Sequence, residues 1–187
     1  MIIGIDEVGR GCWAGPLVIG AVSLNKPILG LKDSKKLSII KRQELSKEIY
    51  LQAKITSLGW VWPHEIDLLG LTKATTLAIK RALMQIDQQI DEIIIDGNVN
   101  YLKDNQKART LIKADTIIPS VSAASILAKV ARDNYMHYIS QFFPSYGFNE
   151  HVGYGTSKHR KALVKCGPCA IHRLTFRPLR EKTFNIN

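Results

Sequence analysis

Four carboxylates stand where ionised groups are costly. Asp6 and Glu7 end an apolar run that begins at Ile2, Asp96 ends the run Ile93-Ile94-Ile95, and Asp115 lies in or beside the next strand-like stretch, Thr110 to Ile118. A charge at the edge of a core needs a partner or a metal. Any one such Asp reads most simply as a turn or cap residue. The four together read differently: if their strands are neighbours, the side chains converge and repel, and a divalent cation relieves that repulsion. All-oxygen ligands favour Mg²⁺ or Mn²⁺ over zinc. Two such ions about 3.5–4 Å apart can activate a water and stabilise the leaving oxygen in phosphodiester hydrolysis. One condition attaches. Successive strand residues face opposite ways, so Asp6 and Glu7 share a site only if the chain leaves strand geometry at Glu7. Gly9 and Gly11, just beyond, make that departure easy.

The elements that must hold these acids follow from pattern. Ile2 to Asp6 and Leu17 to Leu24 read as strands joined by the Gly-rich loop Glu7 to Pro16, an antiparallel hairpin with a long tip. Ser38 is placed to cap a helix from Ile39 to about Gln52, with Ile40, Leu45 and Ile49 on its apolar face. Lys54 to Trp62 is a third strand, Pro63 suits a helix start, and Thr72 to about Ile86 forms an amphipathic helix. Glu92 to Ile95 is a short buried strand. A long helix runs from Ser122 to about Phe142, and a short one from about Ser157 to Lys165. Strands first, then alternation with helices, predict an α/β domain with a mixed sheet.

Bulk properties narrow the partners. The 187-residue chain suits one domain with room for a small appendage, and carries 26 Lys and Arg against 16 acids, a net charge of +10. Such an excess favours polyanionic partners. No apolar run nears the ~20 residues that cross a bilayer, so no membrane partner is expected. The start, Met1 to Glu7, has neither the basic region nor the cleavage site of a signal peptide, and a cytoplasmic protein is expected. Three cysteines, Cys12, Cys166 and Cys169, form no even framework and read as free thiols. Cys166, Cys169 and His172 have CxxCxxH spacing, but structural zinc takes four ligands and no second pair exists.

Five blocks, in order, carry a resemblance. Ile5-Asp6-Glu7-Val8-Gly9-Arg10-Gly11 with Ala14-Gly15-Pro16 resembles the first signature of the ribonuclease HII family. Lys32 to Leu37 is similar to its second block, Asp96-Gly97-Asn98 to its third, and Lys113-Ala114-Asp115 with Val121 to Asp133 to its fourth. Gly153-Tyr154-Gly155-Thr156 with His159 is similar to the fifth. The resemblance implies a ribonuclease H-like fold, a five-stranded mixed sheet flanked by helices. Residues 1–142 would form the catalytic domain, and 143–187 a small helical C-terminal extension that contributes to substrate binding.

It further implies that Asp6, Glu7, Asp96 and Asp115 are the catalytic, metal-binding acids for two ions, Mg²⁺ or Mn²⁺. Gly9, Arg10 and Gly11 would hold a ribonucleotide, and Tyr154 would sit against its sugar. The chemistry agrees: sensing a 2′-OH needs close backbone approach, which glycines permit. Without the resemblance, Gly9-Arg10-Gly11 reads as an ordinary turn and Tyr154 as a half-buried core aromatic. Lys35, Lys36, Lys129, Arg132, Lys158, His159, Arg160 and Lys161 are candidates for phosphate contacts, and Ser122 for a further substrate contact. Three departures lie in or near the loop. Cys12 and Trp13 replace what is more often proline and a smaller apolar residue, and Gly155 stands where many bacterial members carry proline.

The implied activity is endonucleolytic. It cuts the RNA strand of RNA/DNA hybrids and the bond 5′ of ribonucleotides embedded in duplex DNA, leaving 3′-OH and 5′-phosphate ends. The expected partners are those duplexes, bound by a monomer. For a sliding clamp, the tail Glu181 to Asn187 offers no motif. Three rivals are kept: ribonuclease HIII, which usually has an extra N-terminal domain, a basic nucleic-acid-binding protein without catalysis, and a transposase- or resolvase-like nuclease on the same fold.

Overall fold

The computed structural model describes residues 1–31, 34 and 37–183. Five strands form one sheet: β1 (Ile2–Val8), β2 (Leu17–Leu24), β3 (Ala53–Val61), β4 (Glu92–Asp96) and β5 (Ala108–Leu111), in the order β3-β2-β1-β4-β5. β1, β2 and β3 pair antiparallel, while β4 runs parallel to both β1 and β5, so the sheet is mixed. The predicted hairpin is present, with Asp6 opposite Gly20 and Glu7 opposite Ile19.

The central strands are apolar on both sides, so both sheet faces need cover. On one face, Ile3, Ile5, Leu17, Ile19, Ile93 and Ile95 pack against α2 (Pro63–Leu69) and α3 (Leu71–Leu83). Gly70, with φ of 74°, separates the helix that starts at Pro63 from the amphipathic one, which begins at Leu71 and ends at Leu83, three residues before the expected Ile86. On the other face, Val22 packs with Leu45 and Ile49 of α1 (Ile39–Gln52) and with Ala123, Ile126 and Leu127 of α5 (Pro119–Ser140). Ser38 caps α1 as predicted, its Oγ accepting from the Lys41 N–H at 3.2 Å. Ile40 does not join the apolar face: it is 71% exposed, and the buried stripe is Leu45, Ser46 and Ile49.

α5 lies unusually close to the sheet. A Cβ on Gly20 would come within 2.3 Å of the Ala124 carbonyl oxygen, and one on Gly4 within 2.4 Å of the Ser120–Val121 backbone. Glycine at these strand positions thus fixes how deep α5 sits, and α5 carries residues that reach the acids.

The remaining chain forms α4 (Ala114–Ile117), a 3₁₀ turn over Pro144–Tyr146, α6 (Phe148–His151), α7 (Ser157–Cys166) and α8 (Arg177–Arg180). Tyr146, Phe148 and Leu163 build a separate apolar cluster with Ala14 and with Met136 of α5. Among the described residues, no helix is long and apolar enough to cross a membrane.

Candidate functional site

Three of the four acids gather on the α5 side of the sheet. The parallel β1–β4 register ends at Ile5 opposite Ile95, so Asp6 and Asp96 follow as neighbours at the strand ends. Ile3, Ile5, Ile93 and Ile95 face α3, so alternation turns Asp6 and Asp96 toward α5. Asp115 arrives differently from the strand position expected. β5 stops at Leu111, Lys113 turns with φ of 59°, and Asp115 lies in the first turn of α4. Its N–H donates to Asp96 Oδ1 at 3.4 Å.

Glu7 corrects another expectation. β1 keeps strand geometry through Val8, with Glu7 paired to Ile19 and Val8 to Val18, and the chain departs only at Gly9, with φ of 84°. Glu7 therefore points to the α3 side, level with Ile19 of that core. There Arg10 Nη1 lies 3.7 Å from Glu7 Oε1, and Arg10 also donates to the Tyr101 hydroxyl. Glu7 thus starts on the other face of the sheet, yet it borders the same strand end, near enough for its charge to act on Asp6.

Burial, first of all, pushes the Asp6 carboxyl up to about 7, and the charges of Glu7 and Asp96 push the same way. A bond from Ser125 and the Glu7 N–H, 2.8 Å from Asp6 Oδ1, partly oppose them. A buried Asp6 carboxyl that resists ionisation beside other acids fits a divalent cation, and every candidate ligand is a hard oxygen donor. Among the described residues, no three His, Cys, Asp or Glu side chains are already drawn into a metal-holding group. The acids border a site rather than forming a closed cage.

The loop after Glu7 is stitched to the C-terminal part of the chain. Arg132 is fully buried and donates to the carbonyls of Pro16 (2.9 Å), Ala14 (3.1 Å) and Val152 (2.9 Å). Arg173, also fully buried, donates to Gly15 O through Nε (3.0 Å) and Nη2 (2.8 Å), and to Arg10 O through Nη1 (3.0 Å). Burial lowers the Arg173 guanidinium to about 10. Main-chain bonds add to this: Trp13 and Ala14 N–H to Gly153 O, Gly15 N–H to Ile171 O, and Arg173 N–H to Trp13 O. Gly9 packs onto Arg132, leaving no room for a Cβ, whereas Gly11 faces open space. The loop thus has a fixed underside and one backbone position open to a ligand.

Tyr154 is 40% exposed, and its hydroxyl bonds the buried Cys12 thiol of that loop. Burial raises this phenol to about 12. Lys129 Nζ lies 5.8 Å from the Tyr154 ring centroid and 3.0 Å from Asp133 Oδ1. Acids, open glycine and aromatic ring therefore line one end of the sheet.

The other candidates sort by burial. Lys158 is exposed and pairs with Glu150. Ser122 is buried and donates to the Asp115 carbonyl, so it steadies α4 instead of meeting substrate. His159 is fully buried with both ring nitrogens engaged, which corrects its expected phosphate contact, and the bonds of Arg132 to carbonyls correct that one likewise. Lys35 and Lys36 lie outside the described residues. Cys166 is exposed, while Cys169 bonds His172. Sequence reasoning missed Arg173, Tyr101 and Ser125. Arg173 meets partners 158 and 163 residues away, so no local pattern marks it.

Comparison with known proteins gives the family and the fold. The family model described as ribonuclease HII matches residues 3–178. A ribonuclease HII from Halorhodospira halophila is 42% identical over 182 residues, 96% of this chain and 93% of the relative. One from Herpetosiphon aurantiacus is 45% identical over 186 residues, covering 96% and 89%. The crystal structure of the ribonuclease H2 from Pyrococcus horikoshii superposes with a TM-score of 0.82 at 27% identity, covering 100% of this chain and 99% of that one. The RNase HII of the PCNA:RNase HII complex from Archaeoglobus fulgidus gives 0.81 at 27% identity, covering 95% of each chain.

Proposed function

Because the chain belongs to the ribonuclease HII family and is a metal-dependent nuclease of the ribonuclease H type, we propose that it cuts the RNA strand of RNA/DNA hybrids and the bond 5′ of a ribonucleotide embedded in duplex DNA, leaving 3′-hydroxyl and 5′-phosphate ends. The observation that carries this reading is the juxtaposition of Asp6, Asp96 and Asp115 with the open backbone of Gly11 and the exposed ring of Tyr154.

Asp6, Asp96 and Asp115, with Glu7 at the same strand end, would hold two Mg²⁺ or Mn²⁺ ions. Bound there, such ions supply an activated water and stabilise the leaving oxygen. Asp6 and Asp96 set the line along which the scissile phosphate must lie. Within the segment Gly9, Arg10 and Gly11, Gly11 presents its main-chain groups to the 2′-OH, a donor and acceptor that only RNA carries, while the bonds at Gly9 and Arg10 hold the loop in place. Tyr154 closes against the sugar and checks its shape. Lys129 and Lys158, the latter in the C-terminal segment 143–187, favour the duplex backbone through charge.

The test is to map the cut on an end-labelled DNA duplex holding one ribonucleotide, with and without magnesium. A single metal-dependent cut on its 5′ side supports the reading. Poor cutting there with good cutting of a uniform hybrid favours a ribonuclease HIII-like preference. Cutting of all-DNA duplexes favours a nuclease of another kind on this fold.

A further inference from the structure

Three buried histidines behind Tyr154 have their protons ordered by fixed donors. His172 Nδ1 lies 2.9 Å from the Cys169 N–H and 3.2 Å from the Cys169 carbonyl oxygen; the N–H contact is the shorter, so Nδ1 accepts and His172 bears its proton on Nε2. His172 Nε2 lies 2.9 Å from His159 Nε2, which must then accept, leaving the His159 proton on Nδ1. Nδ1 lies 2.9 Å from the Tyr154 carbonyl oxygen and donates to it. His151 is fixed by the same logic: Gly153 N–H donates to its Nδ1 at 3.2 Å, so Nε2 donates to Tyr146 O at 2.8 Å. Each ring is satisfied as a neutral imidazole, and His159 stacks on His151 with centroids 4.5 Å apart.

This chain of bonds has a direction and a destination. It begins at His172, which bridges Ala14 of the glycine loop, and ends at the main chain of Tyr154. The Tyr154 carbonyl accepts a second bond from the Thr156 N–H at 2.8 Å, and Thr156 caps α7, which carries His159. The loop that presents Gly11 and the turn that presents Tyr154 are therefore joined through two imidazoles.

We propose that His172 and His159 are positioning residues that hold the Tyr154 turn in register with the Gly9–Gly11 loop, so that backbone and ring meet the same sugar. The inference rests on the reading of Tyr154 as a sugar contact. Burial fits the role: His159 is 0% and His172 2% exposed, so neither ring is available to a phosphate. Misplacement of a contact near the chemistry by about 1 Å can cost on the order of a hundredfold in rate, so a relay that sets the turn is a lever on turnover.

The test compares His159→Gln, His159→Asn and Tyr154→Ala on a duplex with one ribonucleotide. The Asn amide nitrogen superposes on Nδ1 and keeps the donation to the Tyr154 carbonyl; the Gln nitrogen reproduces Nε2 and loses it. The relay predicts that His159→Gln lowers kcat roughly tenfold with KM unchanged, while His159→Asn stays within about threefold of wild type. Unchanged kcat in His159→Gln beside an impaired Tyr154→Ala overturns the relay and leaves the Tyr154 reading standing. An unimpaired Tyr154→Ala overturns both. If His159→Gln does not fold, ¹⁵N spectra of the wild-type imidazoles decide: Nδ1–H for His159 with Nε2–H for His172 supports the relay, and any other tautomer pair at neutral pH overturns it.

Discussion

The indole of Trp13 lies flat against Gly155, so closely that a Cβ on Gly155 would come within 2.3 Å of Trp13 Cε2 and Cζ2. These are two of the positions that the resemblance marks as departures, and they fit each other. A large ring at 13 occupies the space that a side chain at 155 would need. Gly155→Ala is therefore expected to cost about 1–3 kcal/mol by overpacking. Trp13→Leu in the same chain should recover part of that loss, a coupling on the order of 1 kcal/mol in a double-mutant cycle. Thermal unfolding of the four variants measures it.

Arg132 should be the most sensitive single contact beneath the loop. Its guanidinium satisfies the carbonyls of Pro16, Ala14 and Val152. Arg132→Met keeps much of the volume but leaves these acceptors without a donor. A loss of roughly 3 kcal/mol or more is expected, read from the urea midpoint.

Acid should weaken the fold through the histidine pair. Burial lowers His159 and His172 from 6.5 to about 4. A folded value below the unfolded one means that the unfolded chain takes up protons first as pH falls. The stabilisation is complete above about pH 6.5 and is lost progressively down to about pH 4, on the order of a few kcal/mol for the pair. His151 of α6, stacked on His159, is also lowered by burial and acts in the same direction; the other charged groups nearby are Arg160 over Trp13 and the Lys158–Glu150 pair. Unfolding titrations at pH 8 and pH 5 check this: His172→Gln should flatten the difference.

The depth of α5 is set by glycine, so Gly20→Ala should disturb the acids from a distance. Its Cβ would meet the Ala124 carbonyl oxygen, and α5 carries Ser122 and Ser125, which bond Asp115 and Asp6. Both stability and kcat should fall, by about 1–3 kcal/mol and by several-fold respectively. Stability and turnover assays on the purified variant measure both.

The acids at the ends of β1 and β4 were legible because apolar runs ending in Asp mark strand ends directly. The hairpin, the caps at Ser38 and Pro63 and the mixed sheet followed from equally local signals. Glu7 was read as leaving the strand because the glycines looked like the point of departure, but pairing to Ile19 and Val18 holds the strand to Val8. Thr110 to Ile118 is strand-like by pattern, with Asp115 in or beside it, and the left-handed turn at Lys113 that starts α4 has no glycine to announce it. Arg132 and His159 looked like surface cations, since their partners lie on distant segments or across a turn, as Arg132 to Ala14 shows over 118 residues. Burial of a polar residue by long-range bonds is what a local pattern does not carry.

In the proposed function, Asp6 and Asp96 together would hold the catalytic cations. The decisive measurement is turnover of a single-ribonucleotide duplex by Asp6→Asn and Asp96→Asn at saturating Mg²⁺ and Mn²⁺, with circular dichroism to verify folding. Both folded variants are expected to lose activity by roughly a hundredfold or more. Near wild-type turnover in either folded variant would contradict the account.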